Sequence, residues 1–364
     1  MGNTNIKRIG VLTSGGDAPG MNAAVRAITD KAIEQGIEVV AVLGGYSGLI
    51  HDKVVPMTME TVNGIIGRGG TCIYSDRCPE FATEEGMQKA INTCKKHKID
   101  AIVAIGGDGT FRGATDLSLH GVPAVGVTGT IDNDITATDY TVGFDTAMNT
   151  ILHSLDKFAD TCESHARCNV VEVMGRDCGD IALCTAIATG AIAVVIPEVP
   201  FNEAEALDRI RRAREAGKRG MIVVVSEGVF HTDENGNKVH YGEYLTKKCQ
   251  DELGIETRFA RLAHFVRGGN PTLRDRLTAS RMGVKAVELL LEGKSNLVVV
   301  EEDGKYVPMD IVFALTTDRM YKNKLKEGDL DKYSEEDIAA MKAICAKRRA
   351  EVNELYKLAN DIAF

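Results

Sequence analysis

The chain has 364 residues, of which 44% are hydrophobic and 26% charged, and its formal net charge is -9. This length exceeds what one compact core usually holds, so we expect two lobes. The negative charge argues against a nucleic-acid surface, because binding a polyanion requires basic patches.

No stretch stays apolar for the roughly 20 residues of a membrane span, and the N-terminal residues lack the apolar core of a signal peptide. We therefore expect a cytoplasmic protein without a membrane partner. The nine cysteines include no CxxC pair. This spacing favours reduced thiols that pack as small apolar side chains over a disulfide frame or a zinc site.

Short apolar runs recur along the chain between longer helical stretches. They are apolar on both faces, which is typical of central strands in a parallel sheet covered by helices. The runs are residues 8–12, 39–43, 101–105, 124–127, 169–174, 193–196, 221–226 and 296–301. Their alternation with helices predicts an α/β fold of doubly wound, mainly parallel sheets flanked by helices.

Three further segments have a distinct local pattern. Residues 83–97 begin with a Thr cap and carry an apolar stripe, which predicts a helix. Residues 228–242 contain the turn-forming DENGN and predict an exposed hairpin. Residues 334–359 begin on a Ser cap with an acidic residue three positions later, so we expect a long amphipathic helix.

Three Gly-rich or Asp-rich segments follow predicted strands: SGGDAPGMN (14–22), GGDGT (106–110) and VTGTIDND (127–134). Ligands of such sheets bind beyond the carboxyl ends of the strands, so these loops are expected to meet in one cleft. Unpaired amides at a helix start bind anions. For the first loop alone, a tight connecting turn is an equally good interpretation.

GGDGT is the more specific phosphate signal. Its glycines let the backbone approach a phosphate, and the Asp108 carboxylate can hold a magnesium ion that bridges phosphates. The alternative is an aspartate that caps the next helix. Because NAD kinases and diacylglycerol kinases share these letters, the motif indicates a nucleotide or polyphosphate site without naming the acceptor.

Two carboxylates two residues apart, Asp132 and Asp134, suit an acceptor site. One deprotonates a hydroxyl while the other supports the metal. Arg176 offers positive charge that would keep Asp132 ionised and neutralise the transferring group. An Asx-rich turn is the alternative for an isolated motif of this kind.

A cluster of basic residues in segment 256–276 is unusual in an acidic protein and favours a phosphate site over a solvated face. Its members are Arg258, Arg261, His264, Arg267, Arg274 and Arg276.

As a set, SGGDAPGMN, GGDGT, TIDND, VVEVMGR and AHFVRGGNP resemble the ATP-dependent 6-phosphofructokinases of glycolysis, in order from about residue 7 to about residue 300. The resemblance implies transfer of the γ-phosphoryl of MgATP to the 1-hydroxyl of fructose 6-phosphate. It implies Asp132 as general base, Thr130 beside the reacting groups, Arg176 as transition-state stabiliser and Asp108 as magnesium ligand.

The resemblance also assigns binding residues. The implied ATP-site residues are Gly16, Arg77, Cys78, Gly107, Asp108, Gly109 and Thr110, and the implied sugar-site residues are Thr130, Asp132, Met174, Gly175, Arg176 and Glu227. The 6-phosphate would meet His264 and Arg267 of one subunit and Arg167 and Arg258 of its neighbour, which implies a homotetramer with shared sites.

The implied lobes interleave along the chain. Residues 1–143 with 256–306 would form the ATP-binding lobe, and residues 144–255 with 307–364 the fructose 6-phosphate lobe. Pyrophosphate-dependent relatives usually carry an acid and a lysine at the positions of Gly109 and Gly129, so these glycines favour ATP as donor. Thr110 and Val127-Thr128 are mild departures from the usual family pattern.

Three alternatives stay open: a pyrophosphate-dependent enzyme with the same acceptor, an NAD or lipid kinase, and a non-catalytic regulatory homologue. The residues at the family's effector site also differ from the usual pattern. Arg26, Lys218 and Arg219 match the family's anionic effector site, whereas other positions of that site fall on Asp30, Met59, Ala159, Ala216 and Ile192. Because this change removes positive charge, we expect weak or absent control by phosphoenolpyruvate or ADP.

Overall fold

The structure, a computed structural model, describes residues 6–363. Its strands are β1 (Arg8–Ser14), β2 (Glu38–Val42), β3 (Val54–Met57), β4 (Ala101–Gly106), β5 (Ala124–Thr128), β6 (Cys168–Val173), β7 (Ala193–Val195), β8 (Met221–Ser226), β9 (Phe230–Thr232), β10 (Lys238–His240), β11 (Thr257–Arg261), β12 (Leu297–Glu302) and β13 (Lys305–Asp310). Its α-helices are α1 (Met21–Glu34), α2 (Gly45–Ile50), α3 (Glu84–Lys96), α4 (Asp108–Leu119), α5 (Phe144–His165), α6 (Asp180–Thr189), α7 (Glu203–Glu215), α8 (Tyr241–Leu253), α9 (Leu273–Leu291), α10 (Ile311–Tyr321) and α11 (Glu335–Asp361). Short 3-10 helices span Ile65–Gly67, Pro79–Ala82 and Ala263–Arg267.

The chain divides into two compact units. Unit 1 contains residues up to Ile131, then Ile135–Thr146 and Arg267–Ala346. Unit 2 contains Asp132–Asp134, Ala147–Val266 and the residues from Lys347 onward. The units and the predicted lobes are both built from interleaved segments, with different boundaries. Residues 307–346, predicted with the second lobe, lie in unit 1, where β13 pairs with β12 along its whole length. Residues 256–266, predicted with the first lobe, lie in unit 2, where β11 pairs with β6.

Unit 1 is built on a seven-stranded sheet in the order β13-β12-β5-β4-β1-β2-β3. The five inner strands are parallel, and the edge strands β13 and β3 are antiparallel to their neighbours. Every residue of β4 is buried, as expected for a central strand covered on both faces. Helices α2, α3, α4 and α10 contribute to one apolar core with the sheet, and α1 packs against α9.

Unit 2 is built on a four-stranded parallel sheet in the order β11-β6-β8-β7. Side chains from this sheet, α7 and α8 form its apolar core. The predicted α/β fold with mainly parallel sheets flanked by helices is therefore confirmed.

The three local predictions also agree with the structure. Thr83 caps α3 by accepting a hydrogen bond from the Gly86 amide, and β9 and β10 form the antiparallel hairpin. The Ser334 hydroxyl accepts from the Asp337 amide at 3.1 Å, and the Asp337 carboxylate accepts from the Ser334 amide at 3.1 Å. This reciprocal capping starts α11 at the predicted place.

All nine cysteines are free thiols and six of them are buried, as expected for small apolar side chains. None of the helices in the described part of the chain is long and apolar enough to cross a membrane.

Candidate active site

The loops after β1, β4 and β5 begin side by side in unit 1. The three strands are neighbours in the sheet, so their carboxyl ends lie side by side. The Thr110 hydroxyl donates to the Ser14 carbonyl at 3.0 Å, and the Gly129 amide donates to the Gly106 carbonyl at 2.9 Å. These bonds join the three loops into one surface.

The GGDGT loop leads directly into α4. Gly107 precedes the helix and the half-buried Asp108 is its first residue. A Cβ atom built on Gly109 would meet no heavy atom within 4 Å, so the exposed backbone here borders open space. A carboxylate and free space beside the positive end of a helix suit a metal–phosphate ligand.

Gly129 lies in a different environment from Gly109. A Cβ atom on Gly129 would stand 3.1 Å from Ile105 Cγ2 and 3.2 Å from Met21 Cε. These distances are shorter than most Cβ contacts in proteins, so the glycine lets the chain that follows β5 pass close to β4 and α1. Gly109 and Gly129, which the family resemblance groups together as favouring ATP, therefore have different physical roles.

The first Gly-rich loop packs against Arg267. A Cβ atom on Gly16 would lie 2.8 Å from Arg267 Nη1, and the same nitrogen donates to the Asp17 carbonyl at 3.1 Å. Arg267 is buried. The family resemblance implies that Arg267 binds the sugar 6-phosphate. In the structure its guanidinium contacts the loop that contains Gly16.

Arg77 and Cys78 lie beside the same loop. The Ser75 hydroxyl donates to the Gly15 carbonyl at 2.6 Å, and the Gly15 amide donates to the Asp76 carbonyl at 3.2 Å. Arg77 is exposed and Cys78 half-buried. Burial raises the pKa of the Cys78 thiol, which keeps it neutral.

Thr130 is buried in unit 1 and lies near the GGDGT loop. Its Cβ is 3.9 Å from the position that a Cβ on Gly107 would occupy, and its carbonyl accepts from the Thr141 hydroxyl at 2.7 Å. The structure thus brings Thr130 together with the predicted phosphate loop.

In unit 2, Arg176 faces both carboxylates of the TIDND segment. Its Nε is 3.4 Å from Asp132 Oδ2, and its Nη1 is 3.8 Å from Asp134 Oδ2. The Asp132 side chain is only 1% exposed, whereas that of Arg176 is 53% exposed. A buried carboxylate needs a compensating charge, and this guanidinium supplies one while remaining accessible.

The backbone that presents Arg176 is held by Glu227. One Glu227 oxygen accepts from the Gly175 amide at 3.3 Å and from the Arg176 amide at 3.1 Å. Arg176 has φ 52, and a Cβ on Gly228 would lie 2.0 Å from its carbonyl oxygen. The turn directly follows the buried Met174. The hydrogen bonds from Glu227 and the close approach of Gly228 together hold Arg176 in its left-handed conformation.

Arg167 and Arg258 share one carboxylate. Arg167 Nε is 2.8 Å from Glu256 Oε2, and Arg258 Nη2 is 2.5 Å from Glu256 Oε1. The hydrogen bond from Arg167 lowers the pKa of the Glu256 carboxyl. Glu256 was not among the predicted site residues, although it stands two residues before Arg258 in the sequence.

The remaining basic residues of segment 256–276 have varied surroundings. His264 is exposed in the last 3-10 helix. Arg261 Nε pairs with the buried Glu172 at 2.6 Å, Arg274 stacks on a tyrosine ring and Arg276 Nε donates to the Pro271 carbonyl at 2.7 Å. The last three arginines therefore have protein partners, which weakens the prediction of one phosphate cluster.

Asp275, which is fully buried in unit 1, was also not among the predicted site residues. Its Oδ1 accepts from the Tyr140 hydroxyl at 2.6 Å and the Gly143 amide at 2.7 Å, and its Oδ2 accepts from the Thr146 amide at 2.9 Å. Burial raises the pKa of its carboxyl. Asp275 thereby anchors the segment that follows the TIDND motif.

The predicted effector residues of unit 1 line a separate cavity of about 630 Å³. Arg26 Nε is 3.3 Å from Asp30 Oδ2, and Met59 is also part of the lining. Arg26, the matching arginine of unit 1, is therefore already paired with Asp30.

Comparison with protein families gives one matching model, Phosphofructokinase, over residues 8–290. The chain is 50% identical over 312 residues to the ATP-dependent 6-phosphofructokinase of Bacillus subtilis, covering 86% of this chain and 95% of that one. It is 48% identical to the ATP-dependent 6-phosphofructokinase of Clostridioides difficile over 322 residues, which is 88% of this chain and 98% of that one.

Among solved structures, the phosphofructokinase of Saccharomyces cerevisiae matches with a TM-score of 0.80 and 34% identity over 93% of this chain. The chain spans half of that yeast chain. A pyrophosphate-dependent phosphofructokinase of Marinobacter aquaeolei matches with a TM-score of 0.71 and 24% identity over 84% of this chain and 81% of that one, which is a likeness of fold.

Proposed function

The chain belongs to the phosphofructokinase family, and from this premise we propose that it is an ATP-dependent 6-phosphofructokinase. It would transfer the γ-phosphoryl of MgATP to the 1-hydroxyl of D-fructose 6-phosphate, giving fructose 1,6-bisphosphate and ADP. The observation that carries the proposal is the Asp132–Arg176 pair, a buried carboxylate beside an accessible guanidinium, in a chain whose GGDGT loop starts a helix.

On the acceptor side, Asp132 takes the proton of the 1-hydroxyl as the hydroxyl oxygen attacks the γ-phosphorus. General-base catalysis of this kind is typically worth about 10²–10⁴-fold. Arg176 stabilises the negative charge on the transferring group, and its half-exposed position leaves its free donors accessible to that group. Thr130 is proposed to lie beside the reacting groups.

On the donor side, the ATP phosphates would bind the amides of Gly16 and of the loop from Gly107 to Thr110, with Arg77 and Cys78 alongside. The open space at Gly109 supports a nucleotide rather than a shorter donor. Pyrophosphate as donor is the alternative, and it is an outcome of the experiment below.

Asp108 is the residue proposed to hold Mg²⁺. No group of three or more His, Cys, Asp or Glu side chains within the described residues is arranged to hold a metal ion. This agrees with an ion held by one carboxylate together with phosphate oxygens, as is usual for magnesium in kinases. The bound ion would neutralise charge on the donor phosphates.

Met174, Gly175 and Glu227 are proposed to hold the sugar, and His264 and Arg267 its 6-phosphate. Arg167 and Arg258 would bind that phosphate from a neighbouring subunit, in a cytoplasmic homotetramer. Since Glu256 holds both arginines in the isolated chain, a phosphate would have to compete with that carboxylate.

The test is formation of fructose 1,6-bisphosphate by the purified chain. Fructose 6-phosphate is offered with MgATP in one reaction and with magnesium and pyrophosphate in the other. Turnover with ATP alone supports the proposal. Turnover with pyrophosphate alone would show that pyrophosphate, not ATP, is the donor. No product with either donor would favour another acceptor or a non-catalytic homologue.

A further inference from the structure

Asn133 separates the two carboxylates that face Arg176. It has φ 51, a left-handed conformation that asparagine adopts more readily than most residues. The direction of the Asp132 side chain depends on this backbone, because a change at residue 133 rotates the peptide that joins the two residues. The conformation of Asn133 is therefore part of the acceptor-side geometry.

Within unit 2, Asn133 is held by a buried ionic group. Its Nδ2 donates to Asp180 Oδ2 at 2.8 Å, and its carbonyl accepts from Arg348 Nη2 at 3.2 Å. Arg348 also forms an ion pair with the same oxygen of Asp180. The three residues form a closed triangle of contacts, in which both the side chain and the carbonyl of Asn133 are fixed.

This triangle is shielded from solvent. Asn133 is 4% exposed, and the side chains of Asp180 and Arg348 are 5% and 13% exposed. Hydrogen bonds to charged groups are stronger than neutral ones and are screened little when buried. These contacts therefore hold the Asn133 backbone in one conformation.

We infer that Arg348, on the C-terminal helix α11, is a positioning residue for Asp132. Arg348 acts through the Asn133 carbonyl and Asp180, and it keeps the TIDND backbone in the conformation that aims both carboxylates at Arg176. This gives the C-terminal helix a role in the chemical step. The inference rests on the proposed function, in which Asp132 is the general base.

The first test compares Arg348→Met with Arg349→Met. Arg349 is the adjacent, exposed arginine of the same helix, so its replacement makes the same change of charge outside the triangle. Misplacement of a reacting group by about 1 Å can lower a rate about 10²-fold. We expect a fall of that order in kcat for Arg348→Met, with the KM for ATP within about threefold of wild type, and little change for Arg349→Met.

A second variant separates positioning from stability. Arg348→Met leaves Asp180 as a buried, uncompensated charge and is expected to lower the melting temperature. The double variant Arg348→Met/Asp180→Asn removes that charge while the new amide oxygen still accepts from Asn133 Nδ2. It should regain much of the melting temperature but stay slow, because the Asn133 carbonyl has lost the charged donor Arg348.

Two results would overturn the inference: a kcat of folded Arg348→Met within about twofold of wild type, or recovery of kcat in step with melting temperature in the double variant. Failure of the proposed function is a separate outcome. In that case the wild-type chain itself makes no fructose 1,6-bisphosphate from MgATP.

Discussion

Replacing Gly109 by aspartate should weaken the use of ATP as phosphoryl donor without damaging the fold. A Cβ atom at this position meets nothing within 4 Å, so the new side chain causes no clash. Gly109 is the second residue of α4, where an acidic side chain interacts favourably with the helix dipole. We therefore expect the melting temperature of Gly109→Asp to equal or exceed that of the wild type.

The expected effect on ATP binding follows from repulsion between the new carboxylate and the ATP phosphates. A carboxylate about 4–6 Å from a phosphate, at an effective dielectric constant of about 20, is repelled by roughly 3–4 kcal/mol per unit charge. Magnesium and the helix dipole neutralise part of this repulsion. A net cost of about 3 kcal/mol corresponds to a rise of about 10²-fold in the KM for ATP.

The assay is steady-state formation of fructose 1,6-bisphosphate at varied ATP, with thermal unfolding measured on the same samples. Gly109→Asn is the matched control, because it has nearly the same shape without the charge, and it should show a much smaller rise in KM. An unchanged KM for ATP in a folded Gly109→Asp variant would refute the reasoning that this position borders the nucleotide phosphates.

Four other outcomes are expected. Gly129→Ala should lower the free energy of unfolding by about 1–3 kcal/mol, because its Cβ overpacks the core, and thermal denaturation measures this. Glu227→Gln should lower kcat about tenfold, since weaker bonds hold the Arg176 turn, and a wild-type kcat would show that the charge is not needed there. Phosphoenolpyruvate should inhibit the wild type weakly or not at all because Asp30 pairs with Arg26, and an ordinary inhibition curve would contradict this. EDTA should abolish turnover and added Mg²⁺ should restore it; activity that persists in EDTA argues against a metal–nucleotide donor.

The fold was largely predictable because its central strands are continuous apolar runs. All eight predicted runs are strands of the structure. The strands that were not predicted are β3, β11 and β13, which lie at sheet edges. The edge strand β13 has only exposed and half-buried residues, and β3 contains a proline. Both strands therefore lack a strong apolar pattern.

The candidate site was predictable only where its residues sit in short motifs. The loops containing Asp108 and Asp132 could be placed at strand ends from their sequence neighbours alone. The partners of the arginines could not, because they come from distant parts of the chain: Arg267 reaches Asp17 across 250 residues, and Arg348 reaches Asn133 across 215. No local periodicity encodes such contacts.

The central claim, that Asp132 is the general base, is tested most directly by Asp132→Ser. Turnover of fructose 6-phosphate with MgATP and the equilibrium binding of ATP are measured on the same preparation. We expect kcat to fall by at least about 10³-fold while the Kd for ATP stays within a few-fold of the wild type. A variant that retains more than about a tenth of the wild-type kcat contradicts this role for Asp132.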